Sequence, residues 1–173
     1  MNAKTFIILT ILAFSGNCHA EGTNSFGIYL TTGPEDTSIT TGKGDWSRLD
    51  HSAVPLITAK DIVSYDFEKH SLRLRPGVLA RLPSPPVWGR PFIVVVNGER
   101  IYLGAFTTSN SSHSCAIPSI TVDRQNLVPN QPADTLVIDR AYPTPAFAIG
   151  ADPRGDPRIK AALKALGKLK DAK

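Results

Sequence analysis

Pro91-Phe92-Ile93-Val94-Val95-Val96-Asn97-Gly98-Glu99-Arg100-Ile101-Tyr102-Leu103-Gly104-Ala105-Phe106 reads as a β-hairpin. Two runs rich in β-branched and aromatic residues flank Asn97-Gly98, the dipeptide that most readily takes the two positive φ values of a type I′ turn, so the pair sets the register. Phe92 to Val96 is apolar at every position, the pattern of a strand covered on both faces. The return arm alternates, with Ile101, Leu103 and Ala105 on one side and Arg100, Tyr102 and Gly104 on the other. That period predicts one face in the core and one in water. Arg100 and Tyr102 on the wet face are the candidate binding residues.

Beyond the hairpin, Thr107 to Cys115 is polar and holds the one place where catalysis can be sought. His113 and Cys115 stand two residues apart. On an extended segment they share a face, and a thiolate beside an imidazole is the minimum for nucleophilic catalysis. A working pair also needs the imidazole aimed at sulfur and oriented by a third group, so the alternative is a buried thiol beside a solvated histidine. Ser119 to Asp123 and Thr135 to Asp139 read as further strands across a Pro/Asn/Gln-rich loop, and Tyr142-Pro143-Thr144-Pro145 is extended because each residue before a proline is. The chain closes on a helix over about 157–168: Asp156 caps, Pro157 takes the first position, and Ile159, Leu163 and Leu166 follow helical spacing. Lys160, Lys164 and Lys168 form a basic stripe on it, which a solvated face explains and an anionic partner or membrane surface explains alternatively.

Upstream, Phe26 to Thr31 alternates as a first strand that Gly33-Pro34 ends, and 33–53 has the composition of a loop. Asp45, Asp50 and His51 lie in it without the spacing of a metal-ligand motif, so no metal is expected. Ile62 to Asp66 and Ser71 to Arg75 are strands joined by a four-residue turn that places His70 in solvent. Pro76 starts a short helix, Gly77 to Leu82, that Pro83-Ser84-Pro85-Pro86 stops.

Met1 to Ala20 has the build of a signal peptide, with Lys4 in the n-region, an apolar run from Thr5 to Phe14 and a polar end at Cys18-His19-Ala20. That run is about half of the ~20 residues a bilayer span needs, so a periplasmic or secreted mature chain without a transmembrane segment is expected, cleaved near Ala20. Acylation of Cys18 is the rival, and Ser15-Gly16-Asn17 ahead of it does not suit an acylation site. Losing Lys4 takes Lys+Arg from 19 to 18 against 15 acids, a charge of about +3. Nothing clusters it into a nucleic-acid face. Cys115 is then the one remaining cysteine, so no internal disulfide holds the domain, and roughly 150 residues suffice for one core.

Strand, short helix, Gly89-Arg90, the run Val94 to Glu99 and a second strand resemble the head part of the first periplasmic domain of SecD, a component of bacterial protein export, over about residues 56–123. Gly98 to Phe106 and the closing Asp-Pro-Arg-x-Asp-x-Arg-Ile, Asp152 to Ile159, resemble small uncharacterised exported bacterial proteins. The first resemblance implies the module's shape and not ion-driven transport, which needs membrane helices. The reading is therefore a signal peptide at 1–20 and a single α+β domain at 21–173. Its mixed or antiparallel sheet has four to six strands around the Asn-Gly hairpin, with one short helix and a C-terminal helix. The function expected is a non-catalytic interaction module of the envelope, without cofactor, contacting a protein, polypeptide or other envelope component. The alternatives are an envelope enzyme using Cys115 and His113, or a small-ligand binder with a concave apolar pocket.

Overall fold

Residues 24–33, 37–124 and 132–170 are described by the computed structural model. The elements in chain order are β1 (Phe26–Thr32), α1 (Thr37–Thr40), β2 (Asp50–His51), β3 (Ile57–Thr58), β4 (Ile62–Asp66), β5 (Ser71–Leu74), β6 (Arg90–Val96), β7 (Glu99–Thr107), β8 (Ser119–Thr121), β9 (Thr135–Val137) and α2 (Pro157–Ala165). The fold is mixed α+β, mostly sheet, and neither sheet closes on itself.

β6 and β7 are joined by Asn97 and Gly98, whose φ angles of 51° and 79° lie between paired Val96 and Glu99. Both residues are left-handed, as a two-residue primed turn requires. β1 pairs antiparallel with the outer side of β6, β8 runs parallel to β7, and β2 and β3 each add a short pairing along β1. A second, antiparallel sheet has the order β4-β5-β9. The expected four to six strands in one sheet are thus nine in two among the described residues. Ile62, Tyr65, Leu72 and Leu74 are the reason: they point at the first sheet as a second layer rather than joining its edge.

The composition of β6 is honoured on both faces. Phe92, Val94 and Val96 enter the larger core with Tyr65 and Leu72 of the second sheet and Ile159 and Leu163 of α2. Ile93 and Val95 face the opposite way and meet Leu103 and Ile39. Fully burying such side chains contributes about 1.5–3 kcal/mol each.

β7 departs from its expected alternation. Pairing steps from Val94↔Tyr102 to Val95↔Arg100, which leaves Ile101 as the extra residue of a β-bulge. One extra residue exchanges the faces of everything on one side of it relative to the other. Tyr102, expected in water, therefore packs into the larger core and is 3% exposed. Arg100 instead stands on the face of Val95 and Leu103. Gly104 pairs with Phe92, whose ring lies over it: a Cβ there would sit 2.3 Å from the ring's Cζ.

Three other expectations change. The helix from Gly77 to Leu82 is a single 3₁₀ turn, Leu79–Arg81, because Leu82 precedes Pro83 and is extended with ψ of 144°. The C-terminal helix stops at Ala165 rather than near 168. Gly167 at φ of 65° lets its N–H reach the Lys164 carbonyl at 3.0 Å and the Lys168 N–H reach Leu163 at 2.8 Å, a Schellman ending. The loop-like stretch 33–53 carries α1, a 3₁₀ turn at Trp46–Arg48 and β2. The leader expected at 1–20 and most of the loop ahead of Asp134 lie outside the described residues. No helix among the described residues is long and apolar enough to cross a membrane.

Candidate functional site

The face of the first sheet that carries Ile93, Val95 and Leu103 is covered by three irregular segments. One is α1 with the turn up to Trp46, the second runs from Cys115 to Pro118, and the third from Arg140 to Pro153. Backbone bonds tie them together: the Ala116 N–H donates to the Thr40 carbonyl at 2.8 Å, Cys115 and Tyr142 exchange two bonds of 2.9 Å, and the Ile149 N–H donates to Ala116 at 3.1 Å. Gly42 is needed here for its backbone conformation rather than for space. Its φ is 73°, and a Cβ there would lie 3.7 Å from both Ala116 Cβ and Ile149 Cδ1.

Between these segments and β7 lies a pocket of about 230 Å³, walled by Ile39, Trp46, Leu103, Ile117 and Ile149. Arg140 brings the one charged side chain to its wall. Its Nη2 donates to the Gly150 carbonyl at 3.0 Å. Among the described residues no acidic side chain lines the pocket, and the acids within or next to the three segments are engaged: Asp139 is bonded to Arg124, Asp152 to Arg154, and Asp45 accepts the Ser47 N–H at 2.9 Å. Ile149, 60% exposed, rims the mouth, and Phe147 stands near it in sequence at 47%.

Arg100 serves this pocket from behind. Its guanidinium carbon lies 5.0 Å from the centre of the Trp46 ring, and Nη1 and Nη2 donate to the Ser47 and Trp46 carbonyls at 3.1 and 2.6 Å. It clamps the turn that presents Trp46. Its Nε is buried without a partner among the described residues. Tyr102 is among the residues lining the pocket but clamps nothing there, since it packs into the larger core, where burial raises its pKa well above the usual range and Tyr65, Arg154 and Asp152 lie within electrostatic reach.

Cys115 and His113 are parted by burial. The thiol is 2% exposed, donates to the Ile117 carbonyl at 3.5 Å and is pushed up to about 11 by burial. His113 is exposed, with Nδ1 3.5 Å from Ser112 Oγ. A thiol held neutral at physiological pH is a weak nucleophile. Asp45 and His51 are engaged separately: Asp45 accepts the Ser47 N–H, while the His51 ring packs tilted against Tyr29 at 4.7 Å between centroids and its Nδ1 lies 2.9 Å from the Ser52 carbonyl. No group of three or more metal-ligating side chains occurs among the described residues. His70, expected in solvent, is half-buried with Nδ1 3.4 Å from Tyr65 Oη, and its pKa is lowered by burial and then by Arg154. In the basic stripe, Lys160 Nζ sits 5.3 Å over the Phe67 ring.

Arg140, Trp46 and Ile149 escape sequence reasoning because each is an ordinary loop residue until the three segments meet. The chain matches no protein-family model, no curated protein and no solved structure.

Proposed function

We propose that the protein is an exported, non-catalytic interaction module of the cell envelope that holds an apolar side chain of a polypeptide partner between β7 and its three covering segments. The observation that carries this is the pocket itself: about 230 Å³, lined by the apolar side chains of Ile39, Leu103, Ile117 and Ile149 together with polar surface. Sites for drug-sized ligands begin at about 300 Å³, so this volume suits one side chain better than a whole cofactor. Exposed Ile149 at the mouth, with exposed Phe147 two residues before it in the chain, supplies apolar surface that a protein contact covers. The composition of residues 1–20 supports export. The enzyme reading loses its nucleophile to the burial of Cys115.

The test is photo-crosslinking in envelope extracts from a photoreactive amino acid placed at Ala148 or Ala151, compared with one at Arg73, an exposed position on β5. Polypeptide adducts from the two pocket positions, lost on Ile149→Asp, are expected. Equal adducts from Arg73, or none from the pocket positions, overturn the proposal.

A further inference from the structure

Arg140 is the one charged residue among those that line the pocket, and its guanidinium is underused. Arg140 donates one bond of 3.0 Å to the Gly150 carbonyl and has no acidic partner among the described residues. A guanidinium has five N–H donors in a fork shaped for a carboxylate. The acids that could neutralise it are committed elsewhere. Arg124 holds Asp139, Arg154 grips Asp152 at 2.5 Å, and Asp45 caps its own turn 3.7 Å from Arg48. The charge left on this wall is therefore positive, beside a cavity of about 230 Å³.

Resting on the reading above, we infer that the polypeptide partner enters by its C-terminal residue, an apolar one, with the side chain in the pocket and the α-carboxylate on Arg140. A carboxylate and an apolar side chain that must both reach walls of one 230 Å³ pocket belong most simply to the same residue, and in a polypeptide that residue is the last. A chain end also needs a single opening, whereas an internal residue must bring two flanking peptide units to the mouth.

The probes are N-acetyl-Ala-Leu as the free acid, the same dipeptide as its C-terminal amide, and hexanoate. Binding is followed by calorimetry and by the indole N–H signal of Trp46. The free acid binds about tenfold or more tighter than the amide, the discrimination that a charge-assisted hydrogen bond supplies. Arg140→Gln abolishes that preference, weakening the free acid at least tenfold more than the amide, while Arg140→Lys, which keeps the charge and loses the fork, retains part of it. Equal affinity for acid and amide overturns the carboxylate and keeps the apolar pocket. Hexanoate bound as tightly as the free-acid dipeptide moves the site to free apolar acids and overturns the chain-end assignment. Absence of binding by all three, with crosslinking from Ala148 intact, overturns the inference and spares the interaction module. Should Arg140→Gln fail to fold, the acid-against-amide comparison on the wild-type chain and the Arg140→Lys variant decide.

Discussion

Asp152-Pro153-Arg154 and Asp156-Pro157-Arg158 are the same tripeptide written twice with Gly155 between, and locally they fold the same way. In each the aspartate accepts the backbone N–H of its arginine, at 3.1 Å in the first and 2.8 Å in the second. In each the carboxylate then takes Nε and Nη2 of that arginine in a two-pronged pair, at 2.9 and 2.5 Å in the first and 3.0 and 2.7 Å in the second. Proline stands at the first helical position both times. The first unit nevertheless stops after a 3₁₀ turn, and the second runs on into α2. Asp156 is the hinge between them. It precedes Pro157, so it leaves the helical region at ψ of 127°, ends the first turn and caps the second.

What separates the copies is where the remaining nitrogen goes. Arg154 Nη1 donates to the Ile138 carbonyl at 2.7 Å, and its side chain is only 13% exposed. Arg158 Nη1 reaches Glu99 at the hairpin, with 46% of the arginine side chain and 61% of the glutamate in solvent. The first unit also forms wall, since its Pro153 and the preceding Ala151 line the pocket. The same local device is thus a buried brace beside the site in one place and a surface clasp in the other. Solvent, more than geometry, sets what each contributes.

Arg154→Met is the largest expected blow to the first copy, because it strands a partly buried carboxylate and the Ile138 carbonyl. A loss of about 2–3 kcal/mol in chemical denaturation is expected. Arg158→Met should leave the midpoint at the wild-type value, and equal losses for the two variants would show that burial does not distinguish them. Asp156→Ala should cost about 1 kcal/mol through the lost cap of α2, visible also as reduced helical circular dichroism.

The acid limb of stability sharpens the contrast further. Arg154 hydrogen bonds hold the Asp152 carboxyl down to about 2, below its usual range near 3.9. A depressed carboxylate stabilises the fold above its unfolded pKa, so this contribution is complete above about pH 4 and disappears as pH falls toward 2. With the side chain 32% exposed, solvent screening reduces it to about 1 kcal/mol. Denaturation midpoints of the wild type and Asp152→Asn should converge over that window and run parallel above it. A difference unchanged down to pH 2 would refute the assignment. The smallest effect is read at His70, whose pKa is lowered first by burial and then by Arg154. Arg154→Met should move its NMR titration upward, and Arg158→Met should leave it in place.

How far the sequence could be read follows the range of each interaction. The Asp156-Pro157 start of α2 and the Asn97-Gly98 turn were legible because each depends on residues within one turn of chain. The duplication of Asp-Pro-Arg is also written in the sequence, at Asp152 to Arg154 and Asp156 to Arg158. The bulge at Ile101 left no such mark. Arg100, Ile101 and Tyr102 have the same identities whether Ile101 is paired or extra, and only the position of β6 decides that Tyr102 turns inward. The site was hidden for the same reason: Thr40, Ala116 and Ile149 are joined by backbone bonds, which no side-chain pattern announces. Arg140 then gains its meaning from the pocket it lines.

By itself, then, the amino-acid sequence determined the doubly buried β6, its two-residue turn and the capped start of the closing helix. Side-chain period, proline geometry and glycine's access to positive φ act over a few bonds. The tertiary structure alone decided which face of β7 is wet, which of two identical Asp-Pro-Arg units is buried, and that three loops enclose a pocket with a lone arginine in its wall. Those outcomes depend on which distant segment excludes water from a given side chain, and the identity of that segment is not encoded next to the residues it covers.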